Sequence, residues 1–193
     1  MAKKRKIPRV TKAAKKKFTT PVATDEDFER EEQFKNHKGD NVGNVVSYLK
    51  NYMKYKHNTR YDIFIGCDSQ VNRNNTVYSV VIGIHTIVDG IGRGVHIVHT
   101  REKDRKYNED RGAIFKRLWS EVTRIVETAM YLRENGIETK DIGTHIDANV
   151  KKEFASNMIY DSAIGYLNSL GFKVEGKPYA WAATYAANRY CRS

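Results

Sequence analysis

No stretch constrains this chain more than Tyr61-Asp62-Ile63-Phe64-Ile65-Gly66-Cys67-Asp68-Ser69-Gln70. An apolar, β-branched run of this length, bounded by turn-forming residues, reads as a strand buried on both faces. It ends by presenting one carboxylate, Asp68, among small and polar neighbours. An acid in such a place is costly unless backbone hydrogen bonds, a cationic side chain or a metal ion compensates it. What else converges on Asp68 is therefore the question the rest of the sequence must answer.

The flanking patterns build a sheet around that strand. Val42, Val45, Val46, Leu49, Tyr52 and Met53 recur at three- and four-residue spacing and predict an amphipathic helix over 41–55. The asparagine-rich run Val71–Asn75 predicts a turn, followed by a long β-branched strand over Thr76–Val88. Asp89–Gly94 is expected as a hairpin loop, with a third strand over Val95–Arg101. His85, His96 and His99 on this hairpin do not share one face and are read as structural. A long helix spans 110–135, with an apolar face from Ile114 to Met130 and Gly136 as its stop. A strand over Ile142–Asp147, a helix over Ser156–Leu170, a strand over Phe172–Glu175 and a small-residue helix over Ala180–Tyr190 complete the series. Trp119, Trp181 and Tyr185 are read as core residues ahead of base-stacking platforms. Three strands and then alternating helix and strand give an α/β fold. Its sheet is mixed and five-stranded, an antiparallel hairpin plus parallel strands, flanked by helices in the element order of ribonuclease H.

Charge divides the chain differently. Of the net +11, residues 1–17 carry +9 in nine Lys/Arg, among them Lys3, Lys4, Arg5 and Lys6. With so little to bury, residues 1–40 are expected as a disordered tail, basic and then acidic, ahead of a domain over 41–193. Such a tail binds phosphate backbones by counterion release, or serves as a solubilising arm. Two cysteines without metal-ligand spacing fit a reducing, cytoplasmic compartment. The absence of any apolar run near 20 residues argues against a membrane span.

A second strand ends in an acid, Asp147. Carboxylates at corresponding ends of neighbouring parallel strands lie close together, where open α/β sheets gather their ligands. Helical geometry selects a third. At about 100° per residue, Glu121 falls about 20° outside the apolar arc of the long helix, whereas Glu127 lies about 60° beyond the opposite edge. Clustered carboxylates need a cation, and oxygen ligands of this kind suit Mg²⁺ or Mn²⁺. On the residues alone, strand-end acids equally serve as turn or cap residues.

Ile65-Gly66-Cys67-Asp68-Ser69-Gln70-Val71, His145-Ile146-Asp147 and Lys177-Pro178 through Ala186-Ala187-Asn188-Arg189-Tyr190 together resemble the YkuK-like family of ribonuclease-H-like proteins, over about residues 42–191. The resemblance implies a metal-dependent nuclease site, with Asp68, Glu121 and Asp147 as metal ligands. The superfamily commonly has a fourth acid on the last helix, yet residues 176–193 contain no Asp or Glu. Asn188 is the nearest candidate there, an oxygen donor without charge. His145, sharing a strand face with Asp147, is a candidate proton shuttle or a hydrogen-bond partner of that acid. Ser69 and Gln70 are candidates for phosphate contact or turn closure, and Lys177 and Arg189 for backbone contact. The expected activity is phosphodiester hydrolysis of RNA, DNA or a hybrid. The alternative is a non-catalytic nucleic-acid-binding protein, or a component of a ribonucleoprotein or viral assembly, that keeps the fold.

Overall fold

The computed structural model describes residues 34–54, 56–105, 110–149, 151 and 156–192. The basic tail, including Lys3, Lys4, Arg5 and Lys6, and the acidic run after it lie outside the described residues. In chain order the elements are β1 (Lys35–Asn36), α1 (Val45–Tyr52), β2 (Thr59–Val71), β3 (Asn75–Val88) and β4 (Ile91–Arg105). Then come α2 (Arg111–Glu134), β5 (Ile142–Ile146), α3 (Asn157–Ser169), β6 (Lys173–Glu175) and a π-helical stretch, Ala182–Ala187, that runs into α4 (Asn188–Arg192). The sheet order is β1-β4-β3-β2-β5-β6. Strands β1 to β4 pair antiparallel, and β5 and β6 add in parallel beyond β2.

The mixed sheet is thus six-stranded where the sequence indicated five. The extra strand is the two-residue β1 at the edge, paired with Val98 and His99 of β4 and drawn from the stretch assigned to the tail. The hairpin also differs. Instead of a six-residue loop, Asp89 and Gly90 alone turn the chain, at φ 52° and 77°. Both are positive, as a tight two-residue hairpin requires, and Asp-Gly is the pair best suited to it. A register shift between His85 and Ile87 absorbs the mismatch.

Alternation along β2 divides the protein into two layers. Ile63, Ile65 and Cys67 join the main core with Leu118, Val122, Ile125, Ala129 and Leu132 of α2. Phe64 and Gly66 face the other way, towards Trp181 and the π-helix. Helix α2 starts at Asp110, whose side chain accepts from the Ala113 N–H at 3.0 Å, and Gly136 ends it at φ 84°. Not all of the predicted apolar face of α2 is core. Phe115 is exposed, and its ring lies parallel to that of Trp119, which in turn stacks on Tyr166 of α3.

Gly66 sets how near the two layers can come. A Cβ built there would lie 2.5 Å from the Ala182 carbonyl carbon and 2.9 Å from the Ala183 Cα. Only glycine lets the π-helix, rich in alanine, rest its backbone on β2.

Candidate active site

Strand β5 stops at Ile146, opposite Cys67 of β2, while β2 continues to Val71. Asp68 therefore lies inside its strand, paired with Ser79 of β3, not at its end. It is uncovered because the neighbour on its other side has run out. Asp147 is the next residue of that neighbour, so the two acids meet where β5 ends.

Here an open cleft of about 260 Å³ is lined by Asp68, Gln70, Glu121, Asp147, Lys177 and Asn188, with Arg117 and Arg192 at its walls. Seven candidates from the sequence, Asp68, Ser69, Gln70, Glu121, Asp147, Lys177 and Asn188, come together in it. Glu121 arrives from the α2 layer. It is only 4% exposed, held by the Ser69 hydroxyl at 2.5 Å and by Arg117 Nη1 at 3.2 Å. Arg117 also donates to Ser69 Oγ at 2.5 Å, so the serine links arginine to glutamate. Asp68 Oδ1 accepts from the Ser69 N–H at 2.8 Å. Asp147 Oδ1 accepts from the Thr184 hydroxyl at 2.8 Å and from Lys177 Nζ at 2.9 Å.

Crowding of like charges marks these groups. Burial, and then the charge of Asp147, pushes the Asp68 carboxyl up from 3.8 to about 6. Burial, and then Asp68, holds Glu121 well above the usual carboxylate range, against the pull of Ser69 and Arg117. The Cys191 thiol, raised to about 12 by burial and then by Asp68, stays protonated and donates to the Asp68 carbonyl at 3.0 Å, tying α4 to β2.

The chain has been compared with known families and proteins. The family described as Ribonuclease H-like matches residues 44–192. The chain belongs to the ribonuclease H-like family. No curated protein and no solved structure matches it. The family points to nucleic-acid interaction in general.

Not every expected residue of this ribonuclease H-like site is in the cleft. His145 does share the Asp147 strand face, but one step deeper, fully buried between Phe64 and Trp181. Its Nδ1 accepts the Ala182 N–H at 3.1 Å, and burial drops its pKa to about 4. It is neutral and contacts the π-helix in place of Asp147, so neither role expected of it is seen. Ser69 lines the cleft, though it is buried and its hydroxyl donates to Glu121. Gln70 and Lys177 line the cleft, and Arg189 is exposed on α4.

The sequence reading missed Arg117, Thr184 and Cys191. Arg117 had a signal, since it stands four residues before Glu121 on one helix face. Thr184 and Cys191 reach Asp147 and Asp68 across long sequence separations that local pattern does not encode.

As donors, three carboxylates and an amide oxygen suit a hard divalent cation. In each acid one oxygen is engaged by the contacts above, and the other has no hydrogen bond among the described residues. No three His, Cys, Asp or Glu side chains among the described residues are grouped closely enough to hold a metal ion between them. Lys177 and Arg117 instead supply the counter-charge. Ser69→Ala would remove the hydroxyl donor from the buried Glu121, and we expect a loss of about 1–3 kcal/mol in urea unfolding at pH 7.

Proposed function

We propose that this ribonuclease H-like protein is a Mg²⁺- or Mn²⁺-dependent nuclease that hydrolyses phosphodiester bonds in RNA, DNA or a hybrid. The observation that supports it is the meeting of Asp68, Glu121 and Asp147, from three separate elements, in one cleft where burial and mutual repulsion raise two of them. Perturbed acids in a cleft are the usual company of catalytic chemistry. Asp68, Glu121 and Asp147, not grouped closely enough to share an ion as they stand, would have to draw in around the metal to hold it, with Asn188 as an uncharged oxygen donor. The bound cation would supply Lewis-acid stabilisation of charge at the scissile phosphate. Arg192 and Lys177 stand at the cleft wall to meet the substrate backbone, and Gln70 can orient a phosphate oxygen by hydrogen bonding. His145, buried and neutral, takes no part.

The test is cleavage of labelled RNA, DNA and RNA–DNA hybrid with Mg²⁺ or Mn²⁺, comparing wild type with Asp68→Asn at matched salt. We expect at least a hundredfold loss in the variant with binding retained; equal cleavage by both proteins would sink the assignment.

A second reading has its own support. With Lys177 on Asp147, Arg117 on Glu121 and no acid on the last helix, the site offsets two of its three acids with its own cations, as a non-catalytic nucleic-acid-binding protein would. Salt-sensitive binding without cleavage in either protein would favour it.

In both readings the basic tail, Lys3, Lys4, Arg5 and Lys6 included, concentrates nucleic acid near the cleft. Removing residues 1–17, with their nine cations, should flatten the log–log salt dependence of binding by up to about 6–8. A slope that stays the same would deny the tail that role.

A further inference from the structure

The segment from Gly176 to Arg192 closes one side of the cleft and has an unusual surface. It contains Lys177, Arg189 and Arg192 and no acid. Arg189 and Arg192 make no ion pair among the described residues. Two tyrosines project from the same segment. Tyr179 is 73% exposed and Tyr185 69%, the highest values among the exposed large hydrophobic side chains. The sequence placed Tyr185 in the core; the π-helix turns it outward, beside Thr184, which grips Asp147.

Among the described residues the other exposed tyrosines and phenylalanines have ring neighbours: Tyr52 stacks on His96, Phe115 on Trp119 and Tyr166 on Trp119. Neither Tyr179 nor Tyr185 has a ring contact or a phenolic hydrogen bond among the described residues. Their backbones are nonetheless fixed. The Tyr179 N–H donates to the Gly176 carbonyl at 3.0 Å, and its own carbonyl accepts from the Trp181 N–H at 2.8 Å. Tyr185 sits within the π-helix that Gly66 seats on the sheet.

We propose that this segment is a binding platform for single-stranded nucleic acid, on which Tyr179 and Tyr185 stack unpaired bases while Arg189 and Arg192 follow the phosphates. The chemistry selects that occupant. Cations interleaved with presented aromatic rings, on a segment that itself carries no acid, match an anionic backbone carrying π-faces. A duplex hides those faces in its own stack and offers groove edges and phosphates. Lys177, Asn188 and Arg192 belong to both the platform and the cleft, so a strand lying on one runs into the other. The inference rests on the nucleic-acid side of the proposed function and is independent of hydrolysis.

Fluorescence anisotropy with the full chain in a metal chelator would test it, using a labelled strand of about 12 nucleotides, as DNA and as RNA, and a blunt duplex of the same sequence. The double variant Tyr179→Ala/Tyr185→Ala should bind the single strand at least about tenfold more weakly, with duplex binding changed less than twofold. Its salt slope should match wild type, because no charge is lost. Tyr179→Phe/Tyr185→Phe should bind like wild type. Both rings are exposed, so thermal unfolding should not move and a folding defect is visible if present. Unchanged single-strand affinity in the alanine variant, or equal weakening on both substrates, overturns the platform alone. A wild-type protein that binds neither substrate overturns the platform and the nucleic-acid reading together, whereas binding in chelator with no cleavage once Mg²⁺ or Mn²⁺ is restored touches only the hydrolytic reading.

Discussion

Asp68→Asn should make the protein more stable at neutral pH while removing its proposed activity. The Asp68 carboxyl is raised from 3.8 to about 6, chiefly by burial and then by Asp147. A raised acid opposes folding wherever the unfolded chain has already lost its proton. Below about pH 4 both states are protonated and nothing is lost. As pH climbs from about 4 to 6 the unfolded chain ionises first, and folding stability declines. Above 6 the full cost remains, about 3 kcal/mol at about 1.4 kcal/mol per pKa unit. Asparagine does not titrate, and its carbonyl can still accept the Ser69 N–H. The gain in unfolding free energy should therefore be absent near pH 4 and reach about 3 kcal/mol by pH 7, measured in chelator. Adding Mg²⁺ or Mn²⁺ should close the gap, because a cation that binds only the folded carboxylates stabilises the wild type alone. A variant no more stable than wild type at pH 7 in chelator would contradict this account of the cleft.

Gly66→Ala should cost about 3 kcal/mol, lowering the melting temperature by about 6–12 °C for a chain of this size. The added methyl would press on the backbone of Ala182 and Ala183, and backbone cannot rotate aside. The neighbouring glycine makes the comparison. At Gly83 a methyl would meet side chains and no backbone, those of Trp181 and Val95, and side chains can shift, so Gly83→Ala should cost less. Displacing the π-helix also withdraws Thr184 from Asp147, so cleavage by Gly66→Ala should fall even at temperatures where it is folded. Equal melting of the two glycine variants would argue that the layers are not held apart by backbone contact.

Much of this was legible in the sequence, for identifiable reasons. The β-branched runs and the alternation of helix and strand define the sheet, because side-chain periodicity reports burial directly. Glu121 was separable from Glu127 by helical angle alone, and it is the buried one. Other features escaped local pattern. Strand β4 continues to Arg105 through Arg101-Glu102-Lys103-Asp104, whose charge conceals a strand; Arg124 pairs with Glu102 and lies near Asp104 across the layer. His145 reads as a proton carrier beside an acid, but the π-helix covers it. Tyr185 reads as core on an α-helical wheel, and the wider π turn changes which way it faces. The last two misses concern the packing of the C-terminal segment, which lies far in sequence from what it touches.

That distance has a consequence for synthesis. Cys191 holds Asp68 from 123 positions downstream, and Asn188 and Arg192 form a wall of the same cleft. A ribosome therefore exposes the acidic strand, then α2 and β5, well before the wall arrives. Until α4 clears the exit tunnel, a nascent chain carries the carboxylates without the residues that enclose them, so the cleft closes only after its acids have all emerged.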